Sequence, residues 1–169
     1  MPPQMFQISV QQDQVKALIA ALSGPAAHKT WEEEVTAALE SIGKDTADLA
    51  KKNLTAQGAV DTKELLNSIG YSMKVASDGI SLTLYASAAH ATRIEEGEDA
   101  GTFPAPGELL GWMQRHGIPE NAEFAIARAI ARRGFKPRPF MRPAAETMSP
   151  QIGTRLAAAQ LNALKRIMP

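Results

Sequence analysis

Along residues 30–52 the apolar side chains fall on one helical stripe: Val35, Ala38, Leu39, Ile42, Leu49 and Ala50 recur at three- and four-residue spacing. The pattern predicts a helix of about 23 residues, about 35 Å long at 1.5 Å per residue, enough to cross a whole small domain. A helix that is apolar on one side needs something to lie on, so the rest of the chain must supply a sheet. Thr30 is the candidate N-cap, with Glu33 three residues on completing a capping box. Glu32, Glu33 and Glu34 sit where the helix dipole favours negative charge.

Alternation supplies the sheet. Tyr71, Met73 and Val75 alternate with polar residues, Ser77-Asp78-Gly79 reads as a turn, and Ile80, Leu82 and Leu84 alternate again. The hairpin turn needs positive φ, which glycine adopts without a Cβ clash. Phe6, Ile8 and Val10 form a further short strand. Val15, Leu18, Ile19 and Leu22 follow helical spacing until Ser23-Gly24-Pro25, which reads as a stop. Asp61 with Glu64 reads as a second cap, opening a short helix through Leu65, Leu66 and Ile69.

The second half is more broken. Residues 97–106 read as a loop. Leu109, Leu110, Trp112 and Met113 form a short helix closed by Gly117, and Phe124, Ala127 and Ile130 another closed by Gly134. Proline and arginine dominate 135–143, which should be extended because proline lacks an amide proton and biases its predecessor away from helix. Met148, Ile152, Leu156, Ala159 and Ala163 predict a final long amphipathic helix. Strands and helices are segregated, which argues an α+β fold: a small antiparallel or mixed sheet packed by long N- and C-terminal helices, with residues 1–169 as a single domain.

Composition narrows the chemistry. The 169 residues are 44% apolar and 21% charged, ordinary for a folded chain, and contain no cysteine, which excludes disulfides, thiolate nucleophiles and cysteine-ligated metals. No apolar run approaches the ~18 residues of a membrane span, and the start lacks a signal-peptide layout, so a soluble protein made in a cytoplasm is expected. The net charge of zero hides a division: residues 1–114 carry −7 and residues 115–169 carry +7. Opposed charge of this kind suits contacts between copies, or a basic face on nucleic acid.

Specific catalytic signatures are missing. No Gly-x-Ser-x-Gly elbow surrounds a serine, and no Gly-x-Gly-x-x-Gly or Walker-type loop occurs. His90 with Glu95, Glu96 and Asp99 is the one cluster resembling a metal or acid–base site, but it has no second histidine nearby and no calcium-loop spacing, and an exposed acidic loop is the better reading. Trp31 and Trp112, with apolar neighbours at helical spacing, read as core. The basic stretch is the stronger signal. Arg128, Arg132, Arg133, Lys136, Arg138 and Arg142 fall within fifteen positions, interleaved with Phe135 and Phe140, and Arg128 and Arg132 share a helix face. Phosphate or an acidic protein surface would serve these cations equally.

Several segments then line up in order. They are Ala50-Lys51-Lys52-Asn53-Leu54, Asp61-Thr62-Lys63-Glu64-Leu65 before Ser68-Ile69, the hairpin, and Ala91-Thr92-Arg93-Ile94-Glu95-Glu96-Gly97. Trp112-Met113-Gln114-Arg115-His116-Gly117-Ile118, Arg133-Gly134 and Pro137-Arg138-Pro139-Phe140-Met141-Arg142-Pro143-Ala144 follow. Over residues 30–165 this series resembles the small tail-completion proteins, also described as minor tail or neck components, of tailed double-stranded DNA bacteriophages. That family has Asp-Thr-Gly-x-Leu at the first motif, where this chain has Lys63, so the turn geometry there is open to change.

The resemblance implies a structural virion protein that completes the upper tail end and joins tail to head, with no catalytic residue, no cofactor and no metal. It would be made in the host cytoplasm and reside in the virion. Its partners would be copies of itself in a ring, six by analogy with tail symmetry, and the adjoining neck and tail proteins. On this reading Glu95, Glu96, Glu98 and Asp99 of one subunit would face the Arg128–Arg142 region of a neighbour. Phe140 and Met141 would either anchor an extended arm on a partner or tuck under the chain's own last helix. A tail-terminator ring, a DNA-binding accessory protein using the basic C-terminal third, and a hydrolase or metal enzyme around His90 are the alternatives.

Overall fold

The computed structural model describes residues 4–11, 13–76 and 79–168, with side chains described at 7–9 and from Pro25 onward. Three strands, β1 (Gln4–Gln11), β2 (Ile69–Ala76) and β3 (Gly79–Ala86), form an antiparallel sheet in the order β1-β3-β2. In register, Ile8 opposes Leu82, and Leu82 opposes Met73. One face therefore gathers the alternating apolar residues, and Ile80, Leu82 and Leu84 are fully buried there. The α+β expectation holds, with the sheet wholly antiparallel. The turn residues Ser77 and Asp78 lie outside the described residues, as do the side chains of Val15, Leu18, Ile19 and Leu22.

The long stripe lies across that face as expected, on a helix longer than the sequence reading gave. Helix α1 runs without interruption from Asp13 to Ala56, through Pro25. Proline inside a helix costs about 3 kcal/mol. Pro25 is exposed, however, and Ala27, Trp31, Val35, Leu39 and Ile42 beyond it are buried in one cluster with Ile80 and Leu82, which outweighs a single lost hydrogen bond. Thr30 is accordingly no cap: its hydroxyl donates to the Ala26 carbonyl inside the helix, at 3.2 Å. Gly43 marks the closest approach of α1 to the sheet, where an added Cβ would stand 2.7 Å from the Tyr71 ring and 2.8 Å from Leu82.

Helix α2 (Glu64–Ser68) is short, and its N-cap is Lys63 at φ +63°, the one non-glycine residue in the left-handed region among the described residues. Asp61 is not the cap that the sequence suggested. After the sheet come α3 (Ala91–Glu96), α4 (Leu110–Arg115), a single 3-10 turn (Glu120–Ala122), α5 (Glu123–Arg133) and α6 (Met141–Ile167).

Helix α6 packs antiparallel along α1. Asn53 reaches Phe140, Asp45 pairs with Arg155 at 2.5 Å, and Glu34 pairs with Arg166 at 2.5 Å. A second apolar cluster joins the far end of α1 (Ala47, Ala50, Leu54) to Ile69, Leu84, Phe140 and Met141. Residues 99–134 leave this body and return to it at one point, because Glu98 and Phe135 pair as an isolated antiparallel bridge.

Candidate interaction surface

Three of the motif segments, those holding Asn53, Glu95 and Phe140, meet at the start of α6. Helices leave their first backbone N–H groups without an intrahelical partner. Here the Glu95 carboxylate takes three of them: Oε2 accepts from Phe140 N–H at 2.7 Å and Met141 N–H at 2.9 Å, and Oε1 accepts from Arg142 N–H at 2.8 Å. The next residue, Pro143, has no N–H to satisfy. Negative charge at a helix N-terminus is further favoured by the helix dipole. Glu95 and the first turn of α6 thus account for every donor at that end.

Neighbouring groups close the same clasp. Phe140 C=O accepts from Asn53 Nδ2 at 3.2 Å, and Pro139 C=O accepts from Gln57 Nε2 at 2.6 Å. Glu98 N–H donates to Phe135 C=O at 2.9 Å, Phe135 N–H to Glu98 C=O at 2.7 Å, and Arg138 N–H to Ile94 C=O at 2.8 Å. Gly97, at φ +77°, allows the two backbones to touch, since a Cβ there would lie 2.6 Å from the Phe135 oxygen.

This geometry corrects the expectations for Glu95 and for residues 135–143 and decides between those for Phe140 and Met141. Glu95 is 5% exposed and fully engaged within the chain, so it is not a partner-facing carboxylate. Of the two readings open for Phe140 and Met141, the structure takes the second: both are buried under the chain's own last helix and neither is presented on an arm. The segment 135–143 is extended only as far as Pro139, because Met141, Arg142 and Pro143 form the first turn of α6. The acidic and basic runs are joined side by side where Glu98 pairs with Phe135.

Further charge is spent internally. Arg93 holds Glu98 at 2.9 Å and Glu108 at 2.8 Å, and Glu108 also accepts from Ala105 N–H at 2.9 Å, which straps the loop after α3. Hydrogen bonding from Arg93 holds the Glu108 carboxyl below the usual carboxylate range and raises the Arg93 guanidinium in turn. Arg115 Nε and Nη2 both donate to Asp61 Oδ2; hydrogen bonding lowers the Asp61 carboxyl and raises the Arg115 guanidinium.

The basic residues, by contrast, are unspent. Arg128, Arg132, Arg133, Lys136, Arg138 and Arg142 are all exposed, and none makes an ion pair among the described residues. Arg138 lies over the Phe135 ring at 5.8 Å. On α5, Ala127 is the buried residue, and the outer side presents an open groove lined by Phe124, Ala125, Arg128, Ala129, Arg132 and Arg133. Phe124 is 68% exposed and stacks on Phe103, itself 49% exposed, with ring centroids 5.9 Å apart. The aromatic pair was missed in the sequence. Phe124 had been assigned to the core stripe, and Phe103 lies in a loop without periodicity.

Glu96 and Asp99 are exposed beside the clasp. His90 is exposed at the start of α3, and among the described residues no group of His, Asp and Glu gathers as a metal site. Trp31 is buried, as its spacing suggests, whereas Trp112 is 38% exposed and stacks on His116 at 4.7 Å. No helix among the described residues is long and apolar enough to cross a membrane.

Fold and surface together describe an α+β chain in which buried Glu95 fastens the start of α6 and a run of unpaired cations is displayed along α5 and the segment after it. Residues 16–97, just under half of the chain, match the family described as "Bacteriophage HK97-gp10, putative tail-component". The match agrees with the resemblance carried by the motifs: this stretch is similar to a family of phage tail components. No curated protein and no solved structure matches the chain.

Proposed function

We propose that the chain is a structural component of a tailed-phage virion that completes the upper end of the tail and joins it to the head. The similarity of residues 16–97 to a phage tail-component family carries this reading. The clasp supports it, because the Glu95-x-Gly97 and Pro139-Phe140-x-x-Pro143 segments of the tail-completion resemblance meet there through direct hydrogen bonds. In this reading several copies form a ring against neck and tail proteins, and the chain performs no reaction of its own.

A nonsense mutation in the corresponding phage gene tests the proposal by electron microscopy of the lysate. Full heads and tails of normal length that fail to join are the expected outcome. Overlong tails would indicate a tail terminator instead. Infectious, fully joined particles lacking the chain would refute a virion role. A second reading, DNA binding, is favoured by the six unpaired cations between Arg128 and Arg142. It predicts binding to duplex DNA that falls steeply with salt.

A further inference from the structure

We propose that the outer face of α5, with Phe103 and Phe124 at one end and Arg128, Arg132 and Arg133 along it, docks an acidic segment of a different polypeptide in the assembled particle. The inference rests on the tail-component reading and adds the partner's chemistry to it.

Three observations select a protein partner over nucleic acid and over a second copy. First, the patch pairs arginine with exposed aromatic area. All three of its cations are arginine, and the groove floor is Ala125 and Ala129 beside a phenylalanine that is 68% exposed. Protein interfaces are enriched in arginine and aromatic residues and depleted in lysine, whereas phosphate contacts need no apolar anchor. Second, the charge asks for an acidic occupant, since none of these arginines has a carboxylate partner among the described residues.

Third, among the described residues a second copy offers no acidic patch set apart from its own cations. Glu34, Asp45, Asp61, Glu95, Glu98 and Glu108 are all engaged inside the subunit. The remaining exposed carboxylates among the described residues are scattered singly or lie beside cations: Glu120 sits alone in the 3-10 turn, and Glu146 lies four residues after Arg142 on α6. Glu33 pairs with Lys29, Lys44 lies four residues after Glu40 and four before Asp48, and Glu64 follows Lys63. Glu96 and Asp99 lie beside the basic patch itself. The docked segment is therefore acidic, belongs to another chain, and carries an apolar side chain placed to meet Phe124.

The test uses assembled particles. Immunoblotting of wild-type particles first asks whether the chain is present, and its absence would overturn the tail reading and this inference with it. A photoreactive phenylalanine analogue at the exposed position Ala129, and separately at Ala125, is then irradiated in particles. The expected result is a nuclease-resistant adduct that mass spectrometry assigns to an Asp/Glu-rich peptide of another virion protein. Adduct yield should fall at least tenfold in the double variant Arg128→Glu, Arg132→Glu and should recover with Arg128→Lys, Arg132→Lys. A nuclease-sensitive adduct with DNA, an adduct with a second copy of this chain, or no adduct from either position in particles that contain the chain would each overturn the proposal.

Discussion

Glu95 and Glu96 are neighbours of the same type, yet one is sealed inside the molecule and the other points to solvent. What separates them is a partner 45 positions away: the amides that open α6 need an acceptor, and only Glu95 is phased to reach them. Replacing it with alanine leaves three amides without that acceptor in a buried site, so Glu95→Ala should cost roughly 3–5 kcal/mol in chemical denaturation, and Glu95→Gln a fraction of that. Lys63 offers the opposite case. It occupies left-handed backbone, at about 1–2 kcal/mol for a residue with a Cβ, so Lys63→Gly should raise stability by about 1 kcal/mol. The Asp61 and Glu108 carboxyls are both held low by arginines, so their pairing stabilises the fold above the unfolded pKa and is lost as pH falls through the folded one. Asp61→Asn and Glu108→Gln should each flatten the acid limb of a stability profile below about pH 4, by a small amount because both pairs are exposed.

At the level of elements, periodicity located the strands and the longer helices, but it gave no sign of α3 and misjudged where some of the others stop. Gly24-Pro25 was read as a terminator from local backbone preference, and the burial of Trp31, Val35 and Leu39 against the sheet overrode it. The three prolines near residue 140 were read as one extended run, but Pro143 sits in the first turn of a helix, where a missing N–H is harmless. Two exposed phenylalanines were invisible for a different reason: exposure at Phe124 depends on what α5 packs against, which spacing alone does not encode. The crossing of α1 over the sheet gives a sharp check. Gly43→Ala would push a methyl into the Tyr71 ring and Leu82, and should destabilise by about 1–3 kcal/mol, read as a lowered melting temperature.

For the molecule as a whole, the opposite charges of the two chain halves are partly an internal matter. Arg155 and Arg166 on α6 meet Asp45 and Glu34 on α1, so a part of the division visible in the sequence is spent between two long antiparallel helices. The fold class and the motif series were legible because they rest on local pattern. The interaction surface was legible only in its cations, because which of them stay unpaired is decided by tertiary contacts. The bridge between Glu98 and Phe135 has one more consequence. Both ends of residues 99–134 meet at that bridge, neither Met113 nor Ala127 belongs to the two main clusters, and the further ties to the body, Asp61–Arg115 and Arg93–Glu108, are surface ion pairs, so the stretch is built as a cassette. Splicing it out and joining Glu98 to Phe135 through a short glycine turn should leave a cooperatively melting remainder with the circular-dichroism signature of the sheet and the two long helices. Lineages could then trade one cassette for another, changing what the particle grips without rewriting the scaffold that carries it.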